Sequence, residues 1–195
     1  MKSCYGRLIG TDGKFMATVS DADIVSALKE NLESGFRLLM ARYREPVYWY
    51  IRRLVVSHDD AQDAAQETFI RAFRSLGRFK GECSLGAWIY RIATNEALRA
   101  IERRRGGRVS LDDSDAGAGR LAADGYVDYS DLEAVKLQKA ILSLPTKQQL
   151  AFNLRYYDGL EYDEIAAVTG STAASAKANY HVAKEKIIKY MNSTI

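Results

Sequence analysis

Two cysteines, two histidines and two prolines are all that 195 residues contain of the types that usually staple, ligate metals or break helices. Cys4 and Cys83 stand far apart with no CxxC spacing, which argues against a disulfide framework and a cysteine-based zinc site. His58 and His181 are isolated in the chain and form no metal-ligand set. There is no P-loop, no GxGxxG and no Ser/His/Asp or Cys/His constellation, so no hydrolytic or nucleotide chemistry is visible. Neither a cofactor nor a metal is expected. No apolar run approaches the ~18 residues of a membrane span, and the opening MKSCYGRLIG lacks a signal-peptide core. Membrane insertion is therefore not expected, and a cytoplasmic setting is the default.

What is present is helical period and separated charge. The net charge of +3 is too mild to establish nucleic-acid binding, but residues 99–108 hold five Arg against one Glu, whereas 109–131 hold six Asp against one Arg. Such separation suggests distinct electrostatic roles along the chain. Residues 1–20 have no clear period and read as an extension. A capping Ser20 precedes a first helix carrying Ile24, Leu28 and Leu32. A second, about 34–56, should kink or restart at Pro46, which lacks an amide donor. Two more helices complete a domain over 21–107. Residues 108–131 are acidic, Gly- and Ala-rich and aperiodic, the composition of a flexible linker. A second helical domain, 132–195, follows. The expected fold is all-α: two small helical domains joined by a flexible acidic linker.

The chain is organised around Asp59 to Arg105. In its first half, Ala65, Phe69, Ala72, Phe73 and Leu76 fall at helical spacing and predict an inward stripe. Asp60, Asp63 and Glu67 share another face, with Gln66 beside them. A polar break at 78–86 follows. Then a helix resumes with Trp88, Ile92 and Ala93 inward, and with Arg91, Arg99, Arg103, Arg104 and Arg105 outward or beyond.

Near the C-terminus, a short helix of about 161–169 stops at Gly170, and another starts after Thr172 with Ala176, Tyr180, Ala183, Ile187 and Met191 on one stripe. Small Ala166 permits a close crossing and Gly170 a tight turn, the arithmetic of a helix-turn-helix.

These residues carry a resemblance. The string DAQDAAQETFIRAFR resembles the polymerase-docking helix of sigma-70-type initiation factors of the extracytoplasmic-function (ECF) class, and FKGECSLGAWIYRIATNEA resembles their promoter-opening loop and helix. The helix-turn-helix is similar to the family's fourth region, which reads the minus-thirty-five element. The resemblance implies a sigma factor that binds core RNA polymerase and directs promoter-specific initiation, including strand opening. Asp60, Asp63, Gln66 and Glu67 would meet the clamp helices of the largest polymerase subunit. Phe79, Lys80, Ser84, Trp88, Arg91 and Asn95 would serve the minus-ten element, although Trp88 also reads as a core aromatic. An extruded base would be caught around the 81–86 loop, with Phe79 as apolar wall and the Asn95 amide to donate and accept. Ser175, Lys177, Ala178, His181, Val182 and Lys184 would face the minus-thirty-five element. Ala176, Ala178-Asn179 and Val182 depart from the usual Val, Ser-Arg and basic residue, so the base preference does not carry over. The family further implies an anti-sigma partner, and its linker threads the RNA path of the polymerase.

Two other readings stay open on the residues alone. A terminal helix-turn-helix also suits a DNA-binding regulator that is not a polymerase subunit. Asp59-Asp60-Ala61-Gln62-Asp63 is a DDxxD string, the spacing with which isoprenoid synthases hold magnesium and diphosphate. No second acidic cluster lies on a helix to complete that site.

Overall fold

The computed structural model describes residues 19–104 and 132–193. The leading extension and the acidic linker, with Arg105, lie outside the described residues. Every described element is a helix: α1 Asp21–Glu30, α2 Leu32–Val55, α3 His58–Leu76, α4 Leu85–Arg104, α5 Leu132–Leu142, α6 Thr146–Tyr156, α7 Tyr162–Thr169 and α8 Ala173–Asn192.

Local chemistry explains most boundaries. Ser20 Oγ accepts from the Asp23 amide at 3.2 Å, while the Asp23 carboxylate accepts from the Ser20 amide at 2.9 Å. This reciprocal box starts α1. The Ser20 side chain also holds the Asp23 carboxyl below its ordinary pKa. Asn31 ends α1 through its backbone and starts α2 through its side chain, which accepts from the Ser34 amide at 3.0 Å. Leu32 therefore belongs to α2 and is 40% exposed, not on the α1 stripe. The two helices cross closely at Gly35, where a Cβ would lie 2.5 Å from the Leu28 side chain. Of the kink or restart expected at Pro46, the restart does not occur: α2 continues to Val55. Pro46 and Arg42 are both exposed, so the helix bond lost at Pro46 lies on the solvent side of α2.

At the α2–α3 corner Val56 takes φ 69° and ψ −41°, and the Ser57 amide donates back to the Val55 carbonyl at 2.9 Å. A β-branched residue in this region is strained. Ser57 then caps α3 through its side chain. In the second unit Pro145 stands one residue outside the first turn, as the N-cap of α6. Gly170, at φ 65° and ψ 35°, makes the turn of the helix-turn-helix, and Thr172 Oγ caps α8 by accepting from the Ser175 amide. Ala176, Ala183 and Ile187 form the buried stripe of α8, flanked by half-buried Tyr180 and Met191.

The two helical units pack against each other, a contact the sequence did not announce. α4 lies against α7, and one buried cluster runs from Ile24, Leu39 and Ile89 into Leu150, Leu154 and Ile165. A smaller cluster joins Val56 to Val135 and Leu142 of α5. Helix-by-helix periodicity carries no information about such docking.

Candidate functional site

α3 presents two different margins. Toward α4 its charges are internally engaged. Asp60 Oδ2 pairs with Arg104 at 3.0 Å, and Arg71 Nε lies 2.9 Å from both Glu67 Oε1 and Glu96 Oε1. Glu96, only 2% exposed, also pairs with Arg99. Toward solvent, Gln62, Asp63 and Gln66 are exposed, and none of the described ion pairs includes Asp63. So the four residues expected to act together are divided: Asp60 and Glu67 bind within the fold, while Asp63 and Gln66 stand free of it.

Beside Gln66 lies a groove of about 1230 Å³ between α2 and α3. Its walls include Phe36, Met40, Ala65, Phe69, Ile70 and Phe73, with Arg44, Glu45, Gln62 and Arg74 at the margin. Phe73, expected on the inward stripe, is 44% exposed and meets Phe36 edge-on, with ring centroids 4.9 Å apart. Four residues after buried Phe69, it falls past the edge of the core and forms the groove wall instead. An aromatic at the edge of an apolar stripe is a weak signal for such a surface, and the sequence offered no stronger one.

The loop before α4 brings Phe79 and Trp88 together, with ring centroids 5.3 Å apart and both rings half-buried. Trp88 and Ile92, expected inward, sit at the flank of α4. The inward line is Leu85, Ile89, Ala93, Ala97 and Ala100. Trp88, Arg91, Asn95 and Arg99 consequently share an outer stripe, with Asn95 two turns, roughly 10 Å, beyond Trp88. Lys80, Arg91 and Asn95 are exposed. Ser84 is more committed: its hydroxyl caps α4 by accepting from the Ala87 amide at 3.1 Å, and donates to Glu164 Oε1 of α7 at 2.6 Å.

On α8, Ser175, Lys177, Ala178, His181, Val182 and Lys184 are all exposed. They follow the helix N-terminus, where unpaired amides and the helix dipole favour phosphate.

Sequence comparison decides what these surfaces belong to. Residues 39–106 match the family model of sigma-70 region 2, and residues 134–187 match that of sigma-70 region 4. The ECF RNA polymerase sigma-E factor of Escherichia coli K12 is 32% identical over 179 residues, which cover 87% of this chain and 93% of that protein.

The chain belongs to the sigma-70 family.

It is an ECF-type sigma factor, a promoter-specificity subunit of RNA polymerase. The RNA polymerase sigma-H factor of Pseudomonas aeruginosa is also similar, at 29% identity over 180 residues, 87% of this chain and 92% of the relative. Two solved structures share the fold. CnrH in complex with the cytosolic domain of CnrY aligns with a TM-score of 0.67 and 19% identity over 88% of this chain and 97% of that one. RpoE in complex with the anti-sigma factor NepR, from Bartonella quintana, aligns with a TM-score of 0.65 and 24% identity over 82% and 98%. No described helix of this sigma factor is long and apolar enough to cross a membrane.

Sequence reasoning missed one polar cluster in the sigma factor altogether. Arg53 of α2 pairs with Asp158 Oδ2 at 2.7 Å, and the Tyr90 hydroxyl of α4 donates to Asp158 Oδ1 at 3.0 Å. The Arg53 guanidinium also lies 4.5 Å from the centre of the Tyr157 ring. Burial pushes the Tyr90 hydroxyl well above its ordinary pKa, with the Asp158 charge adding to it. Nothing local in the sequence links residues so far apart.

Proposed function

We propose that this sigma factor grips core polymerase through the α2–α3 groove and the exposed crest of α3, with Asp63 and Gln66 as the polar contacts at its edge. The observation that carries the reading is the groove itself: exposed Phe73 and Ile70 beside side chains with no role inside the fold. Large apolar groups left in water next to free polar ones mark a surface made for a partner. The clamp helices of the largest polymerase subunit suit it, as an apolar helix face fills a groove of this kind. Asp60 and Glu67 act at one remove, by fixing α3 against α4.

The 78–88 loop and the outer stripe of α4 then serve the minus-ten element. Phe79 and Trp88 offer an apolar, aromatic place for an unstacked base. Arg91 and Arg99 meet phosphates, and Asn95 contacts a base edge or the strand beside it. α8 enters the major groove near the minus-thirty-five element, with Ser175, Lys177, Ala178 and His181 toward bases and Lys184 toward phosphate. The chain supplies no catalysis; the polymerase does. It works in the cytoplasm, and an anti-sigma protein binds it, as NepR binds RpoE. Nothing favours the stand-alone regulator, which has no use for the groove. In the DDxxD string, Asp60 is committed to Arg104.

Run-off transcription with purified core polymerase on a library of upstream sequences tests this reading. The chain is expected to select promoters only in the presence of core. Specific duplex binding that needs no polymerase, with no stimulation of transcription, would overturn it.

A further inference from the structure

The seam between the two units is an unusual place for a charge. Asp158 and Arg53 have side chains only 6% and 8% exposed, and Asp158 gives one oxygen to each of two helices of the first unit, α2 through Arg53 and α4 through Tyr90. Gly159, at φ 71°, makes the turn that delivers it there. Ser84 and Glu164 add a second polar link across the seam, and Val56 with Val135 and Leu142 an apolar one.

This seam is held together imperfectly. Arg53 Nε is buried without a hydrogen-bond partner. Burial opposes the Asp158 charge, and the pairs with Arg53 and Tyr90 offset that burial, so the charge depends on both partners being in place. Val56 keeps its strained backbone where its side chain is wedged against α5. Contacts of this kind favour closure only while all of them are made.

Closure is also incompatible with the proposed function. The elements read by the two units are, by their positions, about 25 base pairs or ~85 Å of duplex apart. Yet α4 and α7 touch, and Glu164 of α7 occupies the hydroxyl of Ser84, a candidate minus-ten contact.

We infer that Asp158 is the pin of an intramolecular latch, engaging Arg53 and Tyr90 to hold the free chain closed and letting go when the two units move to separate promoter elements. The release step rests on the sigma-factor reading above; the latch itself does not.

The test uses the free full-length chain, with no polymerase or DNA. Arg37→Cys on α2 and Glu185→Cys on α8, both exposed, carry a donor and an acceptor in a Cys4→Ser/Cys83→Ser background. Single-molecule energy transfer should give a dominant short-distance population in the otherwise wild-type chain. Asp158→Ala should raise the open-to-closed ratio by more than about tenfold, since it leaves Arg53 uncompensated. Asp158→Asn and Tyr90→Phe preserve shape and should give smaller increases in that order. Circular dichroism checks that each variant keeps its helices; the two conservative variants carry the test if Asp158→Ala does not. Unchanged distances in the folded variants, or a wild-type chain already open, would overturn the latch and leave the sigma-factor reading intact. Failure of the wild-type chain to bind core polymerase in a separate titration would do the reverse, leaving the latch and overturning the sigma-factor reading.

Discussion

The two margins of α3 use the same residue types to opposite ends. Facing α4, carboxylates meet guanidinium groups of their own chain, and Glu96 is sealed beneath Arg71 and Arg99. Facing outward, Asp63 and Gln66 are exposed, and Gln66 lines the apolar groove. A charged helix face is thus two surfaces, one engaged within the fold and one open to solvent. The difference tells which substitutions will alter the fold and which only the binding.

The largest effect is expected where the outer margin is apolar. Phe73→Ser should weaken core polymerase binding by about 2 kcal/mol, roughly thirtyfold, as loss of an interface aromatic does. Its melting temperature should fall less than that of a core variant, because Phe73 is already 44% exposed and gives up mainly its edge-on contact with Phe36. A mid-sized effect of the opposite kind is expected at Glu96→Ala. Chemical denaturation should show a loss of about 1–3 kcal/mol as a buried ion cluster loses its centre. Polymerase affinity should then follow stability, not specific contact. If Glu96→Ala were neutral in denaturation yet lowered affinity as Phe73→Ser does, the division of α3 would fail.

Asp63→Ala should be smaller, lowering affinity by about 1 kcal/mol, chiefly through the association rate and less so at high salt. It should leave stability alone, whereas Asp60→Ala should lower stability slightly by freeing Arg104. Smallest of all, Lys184→Ala should reduce the salt slope of minus-thirty-five duplex binding by about one without changing sequence preference. A stopped-flow trace with a fluorescent base in the minus-ten element separates the other unit: Asn95→Ala should slow opening while sparing duplex binding.

The elements of this fold were legible because each helix declares itself locally. Ser20, Thr172 and Gly170 mark boundaries through caps and a left-handed turn, and the α8 stripe follows the 3.6-residue period. Errors fell where tertiary context outweighs local pattern. Pro46 sits inside α2 on its exposed side, and Leu32 moved to α2 because Asn31 caps two helices at once. Phe73 and Trp88 have helical spacing consistent with burial, but the width of the neighbouring helices decides how far around α3 and α4 the core reaches. Glu67 pairs with Arg71 at i,i+4, a spacing the sequence carries. The meetings of Asp60 with Arg104, of Arg71 with Glu96 and of Arg53 with Asp158 join residues far apart in the chain and have no periodic signature. The candidate surfaces could thus be listed from motif likeness, but not sorted into groups that bind outward and groups that bind inward.

Equilibrium titration of fluorescently labelled chain against core polymerase, comparing wild type with Phe73→Ser, addresses the groove most directly. The groove account predicts tight wild-type binding and a shift of at least tenfold in the variant, with both proteins equally helical. Equal affinities for the two, or no association of the wild-type chain with core, would contradict it.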